Sequence, residues 1–179
     1  MLADIRILLL PYATGEDDSL LHLLIQEFKS NQWTHFRSAI AFAKQSANYQ
    51  DLLNAMIDFA KCDCSIEMTF GADLFGGAAK GTEYEALKKL ISKLNEFPKV
   101  KFFLYHEYNR TFHPKLYLFS NENDGSGLLI VGSSNWSHGG LVDNVEANVI
   151  VKLDLDDPEH RTCYDEILEY FKIYWQEIE

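Results

Sequence analysis

The sequence predicts an α/β fold, a sandwich in which a central mixed, mostly parallel sheet is flanked by helices. In the first half of the chain, short apolar runs alternate with segments of helical periodicity, and several strand-like runs cluster in the second half. The chain of 179 residues is 47% hydrophobic and 24% charged, which is usual for a globular protein with one core. We therefore expect a single domain over residues 1–179.

The first half alternates strands with amphipathic helices. Its predicted elements are strands at residues 5–12, 36–43 and 65–70 and helices at residues 17–31 and 46–61. The strands are short apolar runs, whereas each helix has leucines and other large apolar residues at helical spacing. A glycine-rich loop, GADLFGGAAKG, follows the third strand, and Thr82 and Glu85 then form a capping-box pattern that begins a helix ending near residue 96.

The second half is richer in strands. The predicted elements are strands at residues 100–105, 113–119, 128–131 and 145–153 and a closing helix at residues 158–178. The polar segment NENDGSG between the second and third of these strands predicts a turn. No repeat or linker interrupts the pattern, so we expect all of these elements to share one core.

Charge and cysteine content restrict the class of protein. The formal net charge is −11, which by itself disfavours nucleic-acid binding because an acidic body repels a polyanion. The acid is concentrated after residue 153, however, whereas residues 99–115 are richer in base, so a local basic site remains open. Three cysteines without a secretion signal predict no disulfide framework, and Cys62 and Cys64 have no second pair to complete a metal site.

The first residues of the chain bear on the cellular compartment of the protein. The segment MLADIRILLLPYA contains an early acidic residue and a short apolar run, so it indicates a first strand and not a signal peptide. No run approaches the roughly 20 apolar residues that a membrane-spanning helix needs. We expect a cytoplasmic protein without membrane association.

Two polar motifs follow or precede apolar strand-like runs. In FHPKLYLF, strand alternation places His113, Lys115 and Tyr117 on one face, so an imidazole and an ammonium lie side by side. In LLIVGSSNWS, Ser133 and Asn135 follow a buried strand directly and can donate hydrogen bonds to an anion. A nucleophile beside fixed positive charge and donors is the chemistry that a phosphodiester requires.

A carboxylate stands at the head of the next strand. Glu146 follows Asn135 by eleven residues, in VDNVEANVIV. It could accept the second ring N–H of His113 and so fix the tautomer of the imidazole. The alternative is that Glu146 is an exposed strand residue.

These motifs resemble the HxK…GSxN signature of the phospholipase D superfamily, the HKD motif. The segment HPKLYLF…VGSSNWSHGGLVDNVEAN is most similar to prokaryotic HKD-family nucleases, including the catalytic domains of metal-independent restriction endonucleases. The resemblance implies a phospholipase D-like sandwich. The chain departs from the motif at Ser120, where the superfamily has an aspartate five residues after the lysine.

The resemblance implies a role for each matching residue. His113 is expected to be the nucleophile that forms a phosphohistidine, and Glu146 to orient it. Lys115 and Asn135, assisted by Ser133, are expected to hold the non-bridging phosphate oxygens. Arg110 either touches a neighbouring phosphate or is a solvated loop charge. The family needs two HxK motifs per site, so the single copy implies a homodimer with a shared active site and no metal or cofactor.

The resemblance leaves three functions open. The first is a metal-independent nuclease, acting on DNA more readily than on RNA, that serves as the cleavage module of a restriction or defence protein. A further specificity or helicase domain is compatible with that function. The second is a phospholipid phosphodiesterase or phosphatidyltransferase, although the sequence shows no basic amphipathic helix for a membrane. The third is a catalytically idle phosphate-binding dimerisation module.

Overall fold

A computed structural model describes residues 4–13, 18–72 and 81–175 of the chain. Within these ranges it contains seven strands and four α-helices, with a short 3₁₀ turn at Gln45–Ala47 and a π-helical turn at Gly139–Asp143. In chain order the main elements are β1 (Asp4–Leu10), α1 (Leu20–Lys29), β2 (His35–Ile40), α2 (Gln50–Lys61), β3 (Ser65–Gly71), α3 (Tyr84–Leu94), β4 (Val100–Tyr105), β5 (Lys115–Asn121), β6 (Ser126–Gly132), β7 (Glu146–Asp154) and α4 (Pro158–Trp175).

The seven strands form one mixed sheet in the order β1-β7-β6-β5-β2-β3-β4. The α/β class and the mixed sheet are confirmed, but the expectation of mostly parallel pairing is wrong. Only β2–β3 and β3–β4 are parallel, and the other four neighbouring pairs are antiparallel. The reason is the length of the connections: parallel neighbours need a helical crossover, which α2 and α3 supply, whereas β5, β6 and β7 follow one another through shorter links.

Helices cover both faces of the sheet, and the alternation along β5 shows which residues face which layer. Tyr117 and Phe119 point into the larger core beneath α1, α2 and α3, while Leu118 points into the smaller core beneath α4. Because both faces are covered at this central strand, β5 is buried along its length except near its start. The sequence predicted this alternation, and it places Lys115 on the same side as Tyr117.

Several strands and helices begin or end at residues other than those predicted, each for a local reason. The strand begins at Lys115 and not at His113, because Pro114 has no N–H to contribute to the ladder; its carbonyl accepts instead from Ala41 N at 2.8 Å. The predicted capping box is wrong: Thr82 Oγ1 accepts from Ala43 N at 3.2 Å, and α3 begins after Glu83 without a side-chain cap.

Other differences concern the helices. The predicted helix at residues 46–61 is divided into the 3₁₀ turn and α2. Position 17, positions 176–178 of the closing helix and residues 73–80 of the glycine-rich loop lie outside the described residues.

The strand directions bring the polar motifs to one edge of the sheet. Strands β1, β2, β3, β4 and β6 run toward this edge, and β5 and β7 begin there. The starts of β5 and β7 therefore lie beside the end of β6. This edge, which we call the site edge, gathers His113, Lys115, Ser133, Asn135 and Glu146 from three neighbouring strands and their loops.

Candidate active site

The ammonium group of Lys115 lies against the imidazole of His113. Its Nζ atom is 2.7 Å from Nδ1 and 3.1 Å from Nε2 of His113 and donates to the His113 carbonyl at 3.0 Å. Lys115 is 7% exposed, whereas His113 is exposed. A ring nitrogen accepts from an ammonium only when it carries no proton, so a hydrogen bond from Lys115 to one of these nitrogens favours a neutral imidazole with its proton on the other. The pair thus presents a neutral nitrogen nucleophile next to a fixed positive charge.

The electrostatics of the pair agree with this geometry. Burial, and then the charge of Lys115, lower the pKa of His113 below its usual value. Burial likewise lowers the pKa of Lys115, while the nearby Glu146 carboxylate raises it. The imidazole is therefore kept neutral below the pH at which a free histidine becomes protonated, which is the state that a nucleophile needs.

Asn135 is held by a backbone contact that the sequence did not reveal. β6 ends at Gly132, and the loop after it pairs with the chain beyond β2: Trp136 N donates to Phe42 O at 3.1 Å, and Lys44 N donates to Trp136 O at 2.8 Å. Phe42 N also donates to Asn135 Oδ1 at 3.3 Å. Since its oxygen accepts this bond, Asn135 keeps its NH₂ group as the donor available to an anion.

Phe42 also contacts the nucleophile candidate. Its ring lies edge-on to the His113 ring, with centroids 5.6 Å apart. The same residue thus touches His113 and orients Asn135. Nothing in the segment AIAFAK distinguished Phe42 from an ordinary strand residue, because its role depends on the sheet order.

Gly140 packs closely against the backbone of the loop that carries Asn135. A Cβ atom on Gly140 would collide with the backbone oxygen of Asn135 and lie 2.6 Å from its backbone nitrogen. These are backbone atoms, so the loop itself must move to accept a side chain. The GGL sequence in the motif therefore reflects a close approach of two backbone segments.

Substituting Gly140→Ala should displace Asn135 and lower kcat by roughly 10–100-fold, because a shift of about 1 Å in a positioning group has effects of this size. The measurement is steady-state kinetics on a phosphodiester substrate, with thermal unfolding in parallel. Gly127→Ala is the matched control: its Cβ would meet only the side chains of Leu153 and Leu155, at 3.3 Å or more. An unchanged kcat in folded Gly140→Ala protein would refute the supporting role of this glycine.

Glu146 does not contact His113 as the sequence suggested. One of its carboxylate oxygens accepts from the Ser133 hydroxyl, and the other accepts from Asn144 Nδ2 at 3.2 Å. Strand β6 lies between β7 and β5, so Glu146 starts about 10 Å from the strand of His113. The Ser133 hydroxyl, just after the intervening strand, binds the Glu146 carboxylate instead. An orienting role for Glu146 stays a prediction.

The hydroxyl and the backbone N–H of Ser133 are both hydrogen-bonded to neighbouring residues. Its hydroxyl donates to Glu146 and accepts from Ala147 N at 3.1 Å, while its backbone N–H donates to Ala147 O at 3.1 Å. A direct bond from Ser133 to phosphate would require the hydroxyl to leave the carboxylate. In this arrangement Ser133 fixes Glu146, which in turn places negative charge near Lys115.

The base-rich stretch before the motif does not form an open basic surface. Arg110 Nη1 lies 3.1 Å from Glu107 Oε1 in an exposed turn, Lys101 Nζ lies 3.7 Å from Glu67, and Lys99 Nζ lies 2.6 Å from Asp63. Each of these charges is paired with a carboxylate. The role of Arg110 in substrate binding therefore stays a prediction, and Lys115 is the cation placed beside the imidazole.

Ser120, which occupies the position of the motif aspartate, lies away from the site edge. It is fully buried, and its hydroxyl accepts from Tyr164 of α4 at 3.0 Å. Five residues of strand separate it from Lys115, a distance of about 17 Å. The departure from the motif thus concerns the packing of α4 and not the reacting groups.

Two other motif residues belong to the core. Tyr117 is fully buried and donates to the Ser134 carbonyl at 2.8 Å, which ties β5 to the loop that carries Asn135. Trp136 is also fully buried, so it packs in the core and has no surface for stacking. Among the described residues, no group of three or more His, Cys, Asp or Glu side chains is placed to hold a metal ion.

A neutral imidazole, a buried lysine and an oriented amide lie together at one sheet edge, and these are the groups that phosphoryl transfer through a histidine nucleophile requires. The chain belongs to the PLD-like domain family: residues 24–175 match the family model described as cardiolipin synthase, PLD-like domain. Members of this superfamily are phosphodiesterases, and this confirms the resemblance and the class of enzyme predicted from the sequence.

Solved structures share the fold. NucT from Helicobacter pylori is 18% identical, with a TM-score of 0.61 over 93% of this chain and 96% of that chain. The phospholipase D family member Nuc from Salmonella typhimurium is 13% identical, with a TM-score of 0.61 over 97% and 94%. Phosphatidylserine synthase from Haemophilus influenzae Rd KW20 is 12% identical, with a TM-score of 0.63 over 97% of this chain but 39% of that chain. No curated protein matches the sequence.

Proposed function

We propose that this chain is a metal-independent nuclease that cleaves nucleic-acid phosphodiester bonds through a phosphohistidine at His113. The observation that carries the proposal is the contact between the Lys115 ammonium and the neutral His113 ring, at the edge where the Asn135 amide is held by Phe42. The proposal treats residues 1–179 as one catalytic domain, with DNA a better substrate than RNA. We further propose that this nuclease is the cleavage module of a restriction or defence protein.

In the first step a ring nitrogen of His113 attacks phosphorus. The N–P bond forms as the P–O bond to the leaving sugar oxygen breaks, and that oxygen takes a proton from an acid. Phosphate oxygens entering the site draw the Lys115 ammonium away from the imidazole, which exposes the lone pair that Lys115 contacts in the resting state. Lys115 and the Asn135 NH₂ group then stabilise the charge that develops on the non-bridging oxygens.

In the second step water hydrolyses the phosphohistidine. Water attacks phosphorus, passes a proton to the group that acted as the acid, and the N–P bond breaks to restore His113. One chain supplies one HxK motif, so the acid is the His113 of a second copy, which carries its proton as an imidazolium once the phosphate oxygens have drawn its own Lys115 away. The proposed enzyme is therefore a homodimer whose two copies contribute to one site.

The correspondence in length supports a single-motif enzyme. The chain covers nearly all of Nuc and NucT, whereas it covers 39% of the phosphatidylserine synthase chain. The second candidate is a phospholipid phosphodiesterase or phosphatidyltransferase, favoured by the description of the matching family model. None of the helices in the described ranges is long and apolar enough to cross a membrane.

The test is cleavage in the presence of EDTA. Purified protein is incubated with plasmid, single-stranded DNA and RNA, beside a His113→Ala control, and the products are resolved on denaturing gels. We expect EDTA-resistant cleavage of nucleic acid, DNA above RNA, that the substitution abolishes. The same preparations are assayed on phosphatidylcholine vesicles.

Each outcome distinguishes the candidates. Phosphatidylcholine hydrolysis without nucleic-acid cleavage would replace the nuclease with the lipid enzyme. Absence of both activities in a folded dimer would favour an idle phosphate-binding module. Cleavage that EDTA removes would contradict the metal-independent mechanism.

A further inference from the structure

Two loop segments run side by side beyond the ends of β2 and β6, at the site edge. Trp136 N donates to Phe42 O at 3.1 Å, and Lys44 N donates to Trp136 O at 2.8 Å, so the segments pair in parallel. Phe42 is the residue whose ring lies against His113 and whose N–H binds the side chain of Asn135. The paired segments therefore lead directly away from the reacting groups.

The far end of these segments carries an imidazole that is held in place. His138 N donates to Ser46 Oγ at 3.2 Å. Both ring nitrogens are also bonded: Nε2 donates to Asp143 Oδ2 at 2.5 Å, and Nδ1 accepts from the Tyr49 hydroxyl. Burial, and then the charge of Asp143, raise the pKa of Tyr49, so its hydroxyl keeps the proton that this bond needs. The His138 side chain is nevertheless 48% exposed, so an accessible ring is fixed in one orientation.

Tyr49 supports this imidazole from the core. Its ring lies beside the His138 ring, with centroids 5.9 Å apart, and packs against the larger core directly before α2. Tyr117 enters the same core, and Lys115 shares its face of β5, so both rings lie on the side of the sheet that carries Lys115. His138 is three residues after Asn135, at most about 11 Å of extended chain. We call Tyr49 and His138 the aromatic pair.

The charges beside the aromatic pair favour contact with a base over contact with a phosphate. Lys44 Nζ lies 3.5 Å from Glu83 Oε1, and the carboxylate of Asp143 binds His138. Both groups thus have a carboxylate beside them, which would repel a phosphodiester. The face of a base is uncharged, and it stacks on aromatic side chains with little regard to sequence. A ring that is already held in place also loses less conformational entropy on binding.

We propose that the aromatic pair is a subsite that stacks the base of a nucleotide flanking the scissile phosphate. Lys115 and Asn135 hold the scissile phosphate, and the next nucleotide lies along the paired segments, so that its base contacts the exposed face of His138. The inference rests on the proposed function, because a phospholipid has no base to place there.

Binding of oligothymidylate to the full chain carrying His113→Ala tests the subsite, because this parent variant leaves the substrate uncleaved. Adding His138→Ala should raise the dissociation constant at least about 5-fold, the effect of losing one stacked base. An abasic oligonucleotide of the same length offers only sugar and phosphate, so the parent and the His138→Ala protein should bind it equally. Fluorescence anisotropy with labelled oligonucleotides measures each dissociation constant.

Two further variants separate stacking from a structural role of the imidazole. His138→Phe keeps a ring without hydrogen bonds and should bind oligothymidylate as the parent does. His138→Asn keeps a hydrogen-bonding side chain without a ring and should bind as weakly as His138→Ala. The matched control is His35→Ala, which removes a half-buried histidine at the start of β2, away from the site edge, and should not change binding. Circular dichroism establishes folding; if His138→Ala is unfolded, the comparison of His138→Phe with His138→Asn decides.

The outcomes separate this inference from the proposed function. Unchanged binding in folded His138→Ala, equal losses on the normal and the abasic oligonucleotide, or a loss in His138→Phe but not in His138→Asn would overturn the subsite even if EDTA-resistant cleavage is found. A parent variant that binds neither oligonucleotide would overturn it as well. Losses that depend on the base, with no cleavage of nucleic acid by the wild-type protein, would support the subsite and reject the nuclease.

Discussion

Replacing His113 with alanine should lower the cleavage rate by at least ~10⁴-fold, as expected when a nucleophile that acts in a unit with other groups is removed. The imidazole is the group whose ring nitrogens lie 2.7 and 3.1 Å from the Lys115 ammonium. The substitution removes both the attacking nitrogen and, in a shared site, the leaving-group acid. Single-turnover kinetics with excess enzyme measures the chemical step directly.

Two further measurements make this result specific. His22→Ala changes a half-exposed histidine on α1, whose Nδ1 is 3.3 Å from Asp18 Oδ1, and should leave the rate unchanged. His113→Ala chains that are folded and dimeric should still bind nucleic acid, since Lys115 and Asn135 remain. Rapid cleavage by the folded variant would show that another group attacks phosphorus.

Replacing Lys115 with methionine should lower kcat by roughly 10²–10³-fold, the usual effect of removing one fixed group that stabilises transition-state charge. Methionine keeps most of the side-chain length at a position that is nearly buried. Lys101→Met is the control, because its exposed ammonium lies 3.7 Å from Glu67 and should contribute less than about 1 kcal/mol. Equal rates for the two lysine variants would contradict the role of Lys115.

The same variant should change the pH dependence in a defined direction. Burial and the Lys115 charge lower the pKa of His113, so wild-type kcat/KM should decline only below the pH at which an ordinary histidine becomes protonated. Removing the charge of Lys115 lets the pKa of His113 rise toward its usual value, and the acidic limb should move to higher pH. A limb that stays in place or moves to lower pH would contradict the coupling of these two residues.

The sequence predicted the parts of the site that depend on local spacing. The predicted alternation put His113, Lys115 and Tyr117 on one face; Lys115 and Tyr117 share a face of β5, and His113 lies beside Lys115 from just before the strand. The apolar run before Gly132 predicted the strand that precedes Asn135. It could not predict contacts that depend on sheet order. Phe42, which lies just beyond β2, donates a backbone hydrogen bond to the side chain of Asn135. Because β6 lies between β5 and β7, Glu146 binds the hydroxyl of Ser133, just after β6, and not the ring of His113.

Strand pairing was likewise only partly predictable from the sequence. Apolar runs separated by helical patterns indicated crossovers, which form at β2, β3 and β4. The pairing of β1 with β7 joins the first and last strands of the described chain, and no local pattern encodes that contact.

Trapping the covalent intermediate tests most directly whether His113 attacks phosphorus. The protein is mixed briefly with an end-labelled oligonucleotide, denatured at alkaline pH to preserve the acid-labile N–P bond, and separated by denaturing electrophoresis before peptide mass mapping. We expect a labelled protein–nucleotide adduct at His113 that is absent from His113→Ala. An active enzyme that forms no adduct under single-turnover conditions, or an adduct that persists in His113→Ala, would contradict it.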